Sequence, residues 1–403
     1  MRKLAVLSLH TSPLIQPGYG DAGGMNVYIR ELVSSLAQVG VQADVFVRRW
    51  HKELPEIVEV EPGFRVIHIE AGPVDLAKEE LPAIVEQYGD GILKHLRTGP
   101  PVDALHANYW LSGVAGHRIK HELDLPLVSV FHTLARVKAE TGEIEPQHRI
   151  DAEAEVIHCS DAIVANAPAE AEQLIELYDA DPERVEIVPP GVVHAYFSPG
   201  DRGGARSALG YGDEPLLLFV GRIQPLKGVD VAVRALAALK NTKARLLIVG
   251  GASGATGEAE VRRLRGLVSD LALADRVEFI DPQPHHLLST YYRAADVCVL
   301  PSRTESFGLV ALEAAACGTP VVAAAVGGLR TLVDHAKTGF LVDSRNPVEY
   351  AKYIDEILGN TALAVEQAAA AVDRAAAYTW SSTAEHLRRL YDDLTAVAPV
   401  SCH

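Results

Sequence analysis

The chain has 403 residues, enough for two or more domains of roughly 150 residues each. Hydrophobic residues make up 48 % and charged residues 22 %, the balance of a globular protein with a sizeable core. The formal charge of -16 argues against a general nucleic-acid binder, whose phosphate contacts need clustered Lys and Arg. Met1-Arg2-Lys3 leads straight into a short strand, so no signal peptide is expected. No apolar segment approaches the ~18 residues of a membrane span, so no transmembrane helix is expected either. Cys159, Cys298, Cys317 and Cys402 show no metal-ligand spacing, and the three that sit within apolar runs or small-residue helices read as buried free thiols, which suits a reducing cytoplasm.

Short apolar runs alternate with helical patterns. Strands are predicted at Leu4–Leu9, Ala43–Val47, Arg65–Ile69, Ala104–His106, Leu127–Val130, Ala162–Ala165 and Val185–Val188, with helices such as Val27–Val39 and Pro82–Leu96 between them. At Val188-Pro189-Pro190-Gly191 the alternation breaks, and the Gly- and Pro-rich stretch to Pro215 reads as an interdomain linker. It restarts with strands at Leu216–Val220, Leu246–Val249, Val277–Ile280, Val297–Leu300, Pro320–Ala323 and Gly339–Val342. Helices are predicted at Val229–Leu239, Glu258–Leu271, Leu309–Ala316 and the alanine-rich Glu366–Ala377. Alternating strand and helix implies parallel sheets covered on both faces. The expected fold is α/β, with two doubly wound, Rossmann-like domains at 1–195 and 196–379 facing across a cleft. The segment 380–403 carries an amphipathic helix, Ser381–Leu394, that Trp380 pins back onto the first domain.

The loop after the first strand carries Gly18, Gly20, Gly23 and Gly24. Glycines here let backbone N–H groups approach an anion, and the following helix start adds partial positive charge. GYGDAGG also fits the dinucleotide pattern of a dehydrogenase, but eight residues separate Leu9 from Gly18 where that turn should be tight. In the second half, Gly221-Arg222 closes a strand and Lys227-Gly228 follows at a helix start, a pair of cations suited to a diphosphate. Gly250 to Gly254 follows another strand and either admits a phosphate or simply turns the chain. Glu305 and Glu313 lie eight residues apart across a loop and a helix start, with Ser306, Phe307, Gly308 and Leu309 opening that helix. Carboxylates so placed can hold separate hydroxyls while the N–H groups face an anion. Taken singly, Glu305 reads as a helix cap and Glu313 as a solvated face residue.

Gly221-Arg222 with Lys227-Gly228, and Glu305-x7-Glu313 with Ser306-Phe307-Gly308, resemble the retaining GT-B glycosyltransferases of family 4. His10-Thr11-Ser12-Pro13 with Gly23-Gly24-Met25-Asn26-Val27-Tyr28 is similar to the branch of that family whose acceptor is an inositol phosphate, in mycothiol biosynthesis. The resemblance implies a UDP-sugar donor carrying N-acetylglucosamine, a phosphorylated small-molecule acceptor, no cofactor needed for catalysis and a homodimer. It assigns Gln16, Pro17, Gly23, Gly24, Arg222, Lys227, Gln283, Glu305, Ser306, Phe307, Gly308, Leu309 and Glu313 to the donor. To the acceptor it assigns His10, Asn26, Lys78, Tyr109, Thr133 and Arg149, two cations and two hydroxyls of which suit a phosphate dianion. His132, Arg222, Lys227 and Glu305 carry the catalytic roles. A Mg²⁺ at Tyr292, Arg293 and Thr319 would be structural. One departure is Gln283 in Asp281-Pro282-Gln283-Pro284, where close relatives have Arg against the nucleobase. Two further readings stand beside this one, a sucrose-phosphate-synthase-like enzyme using fructose 6-phosphate and a catalytically idle sugar-nucleotide binding protein.

Overall fold

The computed structural model describes residues 3–18, 20, 22–254 and 256–402. Met1 and Arg2 of the expected start, and Tyr19 and Asp21 of the glycine loop, lie outside them. The chain divides into two compact units: Met1–Leu14, Met25–Pro190 and Trp380–His403 form the first, and Ile15–Gly24 with Gly191–Thr379 the second.

The first unit is built on an eight-stranded sheet: β1 (Lys3–Ser8), β2 (Gln42–Arg48), β3 (Ile57–Glu61), β4 (Phe64–Ile69), β5 (Ala104–Asn108), β6 (Leu127–Val130), β7 (Ala162–Ala165) and β8 (Val185–Ile187). The spatial order is β3-β4-β2-β1-β5-β6-β7-β8. Every described pairing is parallel except β3 with β4. β1 and β5 are buried along their whole length, and the centre of β1, Leu4–Leu7, reads as a continuous apolar run. Strand β3 escaped the sequence reading. Its alternation Ile57-Val58-Glu59-Val60-Glu61 is that of an edge strand, and its partly exposed, acidic residues blunt the sheet edge.

The C-terminal helix, Trp380–Thr395, belongs to the first unit. Trp380, Ala384, Leu387 and Tyr391 recur at helical spacing and are buried. Tyr391 hydrogen-bonds His106 Nδ1 on β5 at 2.6 Å, and Thr383 Oγ1 donates to Pro189 O at 2.7 Å.

The second unit carries a six-stranded parallel sheet: β9 (Leu216–Val220), β10 (Arg245–Val249), β11 (Val277–Ile280), β12 (Val297–Leu300), β13 (Val321–Ala324) and β14 (Gly339–Val342). Its order is β11-β10-β9-β12-β13-β14. The stretch read as a linker is part of this unit. It forms the helix Arg202–Leu209, and Arg206 ties it down by donating to Ala294 O at 2.9 Å and pairing with Asp296 at 2.7 Å. The division therefore falls at Pro190, before the glycines rather than among them.

In both sheets the strand order reverses once, between β1 and β5 and between β9 and β12. At such a switch point neighbouring strand-to-helix loops diverge and leave a crevice at the carboxyl ends. Among the described residues no helix is long and apolar enough to cross a membrane.

Candidate active site

At the β1/β5 switch point the chain leaving β1 is held tightly. Ser8 N donates to Tyr88 Oη at 3.1 Å, and Leu9 N donates to Ser112 Oγ at 3.0 Å. Asn26 is buried, and its Nδ2 donates to Thr11 Oγ1 at 2.7 Å and to Ser12 O at 2.6 Å. Asn26 thus shapes the turn that presents His10. The His10 ring lies 5.1 Å from that of Tyr109, which leaves β5 with a φ of 72°. A tyrosine rarely adopts this conformation, and its local strain aims the ring across the switch point.

Arg149 joins this cluster from the first turn of the helix Gln147–Cys159. Its guanidinium carbon stands 5.2 Å from the Tyr109 ring centre, and Nη2 donates to Thr133 O and Oγ1 at 3.2 and 3.3 Å. Burial pushes the Tyr109 hydroxyl above its ordinary pKa, with Arg149 pulling the other way. Arg149 is itself buried and doubly paired, with Glu153 Oε1 and Glu145 Oε2 each at 2.8 Å. Glu145 also receives Lys138. These partners were not singled out from sequence, although Glu145-x3-Arg149-x3-Glu153 is the spacing of ion pairs on one helix face. Lys78 stands on another element, opening the short helix Lys78–Ile84, and is half-buried.

His132 follows β6 with a φ of 60° and hydrogen-bonds Asn108 Oδ1 through Nε2 at 2.9 Å. Burial, helped by His106, lowers its pKa to about 3. The ring is therefore neutral near pH 7, and since an amide oxygen only accepts, Nε2 carries the proton.

In the second unit, Gly221-Arg222 leaves β9 and the Pro301–Glu305 loop leaves β12, the two strands of the switch point. Lys227 Nζ pairs with Glu305 Oε2 at 2.6 Å. Two glycines make this approach possible. Gly228 has a φ of 67°, and a Cβ there would stand 2.1 Å from Pro301 O. Gly327 has a φ of 44°, and its Cβ would fall 1.9 Å from Glu305 O. Neither position admits a larger residue without moving the loop that carries Glu305.

The glycine loop was expected to belong to the first domain, yet Ile15–Gly24 clusters with the second unit. The reason is close backbone packing. A Cβ on Gly18 would stand 2.8 Å from Pro282, and one on Gly23 would stand 3.2 Å from Arg222 Nε. Gln16 Nε2 donates to Pro282 O at 3.3 Å, with Pro17 next in the chain. Gly24 faces Leu309, whose methyl would lie 3.6 Å from an added Cβ. Arg222 Nη1 reaches Ser253 Oγ at 3.5 Å, which brings in the Gly250–Gly254 loop. Loop, cation and helix start thus meet in one place.

The helix Leu309–Ala316 starts after Gly308, with Ser306 and Leu309 half-buried. Phe307 is buried, its ring 5.9 Å from that of Tyr378, so its side chain serves the core and only its backbone is left for a ligand. Glu313 is no solvated face residue. It is buried, and its two oxygens accept from His285 Nε2 at 2.6 Å and Tyr292 Oη at 2.8 Å. His285 was missed from sequence, where only Gln283-Pro284-His285 after a strand marked it. Gln283 donates to Asp281 O at 2.8 Å and so folds its own turn.

Tyr292, Arg293 and Thr319 offer little to a Mg²⁺ ion. Thr319 Oγ1 donates to Tyr292 O at 2.6 Å, and Arg293 is a cation already bound to the Ser198 and Tyr196 carbonyls at 2.8 and 2.7 Å. The set contains no carboxylate, whereas protein-bound Mg²⁺ generally has one or two. These residues do not fit the ion, and no step is derived through it.

Two doubly wound units, one with a cation–carboxylate pocket at its switch point and the other with an Arg-Tyr-Thr cluster at its own, define a GT-B glycosyltransferase. The family model "Glycosyltransferase Family 4" matches residues 22–196, and "Glycosyl transferases group 1" matches residues 205–376. A D-inositol 3-phosphate glycosyltransferase of Streptosporangium roseum is 45 % identical over 96 % of this chain and 92 % of its own length. Its counterpart in Actinosynnema mirum is 46 % identical, covering 97 % of each chain. Among solved structures, sucrose-phosphate synthase (tll1590) from Thermosynechococcus elongatus has a TM-score of 0.93 at 32 % identity, covering 98 % of this chain and 100 % of its own. Anabaena Alr3699/HepE in complex with UDP and glucose shares the fold, with a TM-score of 0.79 at 20 % identity, covering 97 % of this chain and 100 % of its own. The chain belongs to the family 4 glycosyltransferases and groups within them with the D-inositol 3-phosphate glycosyltransferases.

Proposed function

We propose that this glycosyltransferase moves N-acetylglucosamine from a UDP-sugar to 1D-myo-inositol 3-phosphate, with retention at the anomeric carbon. The observation that carries the reading is the gathering of Arg149, Thr133 and Tyr109 at the β5 switch point, in a chain 45–46 % identical to enzymes named for that acceptor. A guanidinium and two hydroxyls suit a phosphate monoester, and Lys78 adds a second cation.

In this mechanism the C1–O bond to the diphosphate breaks and a C1–O bond to the acceptor hydroxyl forms on the same face. The acceptor proton passes to the departing phosphate oxygen. Arg222 and Lys227 stabilise the charge that grows on that diphosphate, each such donor contributing about 3 kcal/mol to the transition state. The Gly23-Gly24 backbone and the helix start at Gly308–Leu309 add uncharged donors to the same anion. Glu305 is ion-paired with Lys227, which makes it a poor nucleophile and favours front-face displacement over a glycosyl-enzyme. It orients Lys227 and accepts from a sugar hydroxyl. Neutral His132 presents Nδ1 as an acceptor to the transferring sugar. Glu313, with His285 and Tyr292, shapes the floor of the donor site.

A second reading uses fructose 6-phosphate as acceptor, favoured by the TM-score of 0.93 to the sucrose-phosphate synthase. A screen of UDP- and GDP-sugars against inositol 3-phosphate and fructose 6-phosphate, with product mass spectrometry and an anomeric NMR assignment, decides between them. Turnover of fructose 6-phosphate alone overturns the first reading. Binding of a nucleotide sugar without transfer to either acceptor overturns both.

A further inference from the structure

Cys298 and Cys317 are buried free thiols as expected, but Cys159 is not. Cys159 ends the helix Gln147–Cys159 and is joined to Cys402 of the C-terminal tail as a disulfide, their Cα atoms 5.3 Å apart. The two sulfurs are not alone. His121 Nε2 lies 3.1 Å from Cys402 Sγ and 3.4 Å from Cys159 Sγ, and His117 Nε2 lies 3.8 Å from Cys402 Sγ. One ligand atom from each of the four residues falls within 4.8 Å of all the others. A disulfide needs no imidazoles, yet two are aimed at this one.

We propose that reduced Cys159 and Cys402, with His117 and His121, form a tetrahedral zinc site. Zn–S bonds of about 2.3 Å and Zn–N bonds of about 2.0 Å put neighbouring ligand atoms roughly 3.3–3.8 Å apart, close to the His–sulfur distances of 3.1, 3.4 and 3.8 Å here. Two soft thiolates and two imidazoles select Zn²⁺ over hard cations. His117 and His121 are one helical turn apart on Trp110–Leu123, their rings 5.0 Å from each other. The other nitrogen of His117, Nδ1, lies 3.4 Å from Glu155 Oε1. A carboxylate behind a metal-bound histidine is the usual device for fixing its tautomer and ring direction.

The frame around the site is built without the sulfurs. Asp161 Oδ1 accepts from Val400 N at 2.5 Å, while Oδ2 accepts from Lys120 Nζ and Leu127 N, each at 2.7 Å. The tail therefore reaches the site on a hydrogen bond of its own. Binding releases the two thiol protons and leaves a neutral cluster of two thiolates and one dication. The ion ties the tail to the far ends of the two helices whose first turns adjoin Tyr109 and carry Arg149. Oxidation of the same thiols to the disulfide removes both anionic ligands, so metal and disulfide exclude one another.

The test uses the full chain, purified under reduction and without chelator. Elemental analysis is expected to find one zinc per chain. Co²⁺ added to stripped protein is expected to give the visible bands of a tetrahedral thiolate site. Cys402→Ser and His121→Ala should each cut zinc retention at least about tenfold. Unmodified protein supplies an independent reading, because the two thiols should react with a thiol reagent only after a chelator is added. Reduced protein that holds no zinc, gives no Co²⁺ spectrum and exposes both thiols without chelator overturns the proposal. So does a Cys159–Cys402 disulfide that persists through reducing purification.

Discussion

Lys227 Nζ and Glu305 Oε2 stand 2.6 Å apart, so an ion pair bridges the loops leaving β9 and β12 at the switch point. Lys227→Ala should lower kcat by about 10²–10³ if the lysine meets charge that develops on the leaving diphosphate. Glu305→Gln should also slow turnover while leaving the fold intact. The double variant should lose less than the product of the two single effects, because both act through one contact. Multiplicative losses in steady-state kinetics would separate the two residues.

Lys78→Ala should raise the acceptor KM about ten- to a hundredfold, the ~1.4–2.8 kcal/mol of a charge-assisted bond, and leave UDP affinity nearly unchanged. Titration calorimetry with UDP and kinetics with the phosphorylated acceptor read the two effects separately. Equal changes in both would take Lys78 out of the acceptor site.

Arg149→Ala should damage stability as well as acceptor binding. It strips the fully buried Glu153 of its cation and leaves Glu145 with Lys138, and breaking a buried pair typically costs about 3–5 kcal/mol. Urea unfolding should show the loss. Glu153→Gln on the Arg149→Ala background should recover part of it, since the uncompensated charge is then gone.

Acid should destabilise the first unit through its buried histidines. Burial lowers the pKa of both His106 and His132 to about 3. An unfolded histidine titrates near 6.5, so between about pH 6.5 and 3 the unfolded chain binds more protons than the folded one. The stabilisation is complete above pH 6.5 and falls by up to about 1.4 kcal/mol per histidine per pH unit below it. Denaturant midpoints measured from pH 7.5 to 5 should fall, and His106→Gln should flatten the slope. An unchanged slope in that variant would place the proton uptake elsewhere.

Tyr391→Phe should cost about 1–2 kcal/mol, because His106 Nδ1 loses its 2.6 Å partner inside the sheet. Equilibrium unfolding read by near-ultraviolet dichroism checks it, and a neutral substitution would mean that this hydrogen bond adds nothing to the hold on the helix Trp380–Thr395.

The residues alone were enough for the parallel architecture. Strands buried on both faces are mostly apolar, so β6, β7, β9 and β12 were legible to the residue, as were β11 and β14. Strand β3 was not, because its short apolar run is interrupted by Glu59 and Glu61. The helix Arg202–Leu209 was hidden by its glycines, and Arg206 on Asp296 rather than local propensity holds it. The chemistry-bearing motifs were legible because glycines, cations and carboxylates at strand ends have few other uses.

Local sequence determined most of the strands and helices, since those choices follow from periodicity and turn chemistry within a few positions. Tertiary structure alone decided that Gly23 packs on Arg222, that Glu313 is buried under His285 and Tyr292, and that Cys402 meets Cys159 across 243 residues. Each of these is a contact between segments distant in the chain. No spacing rule encodes such contacts, because their partners are chosen by how the sheets and helices pack.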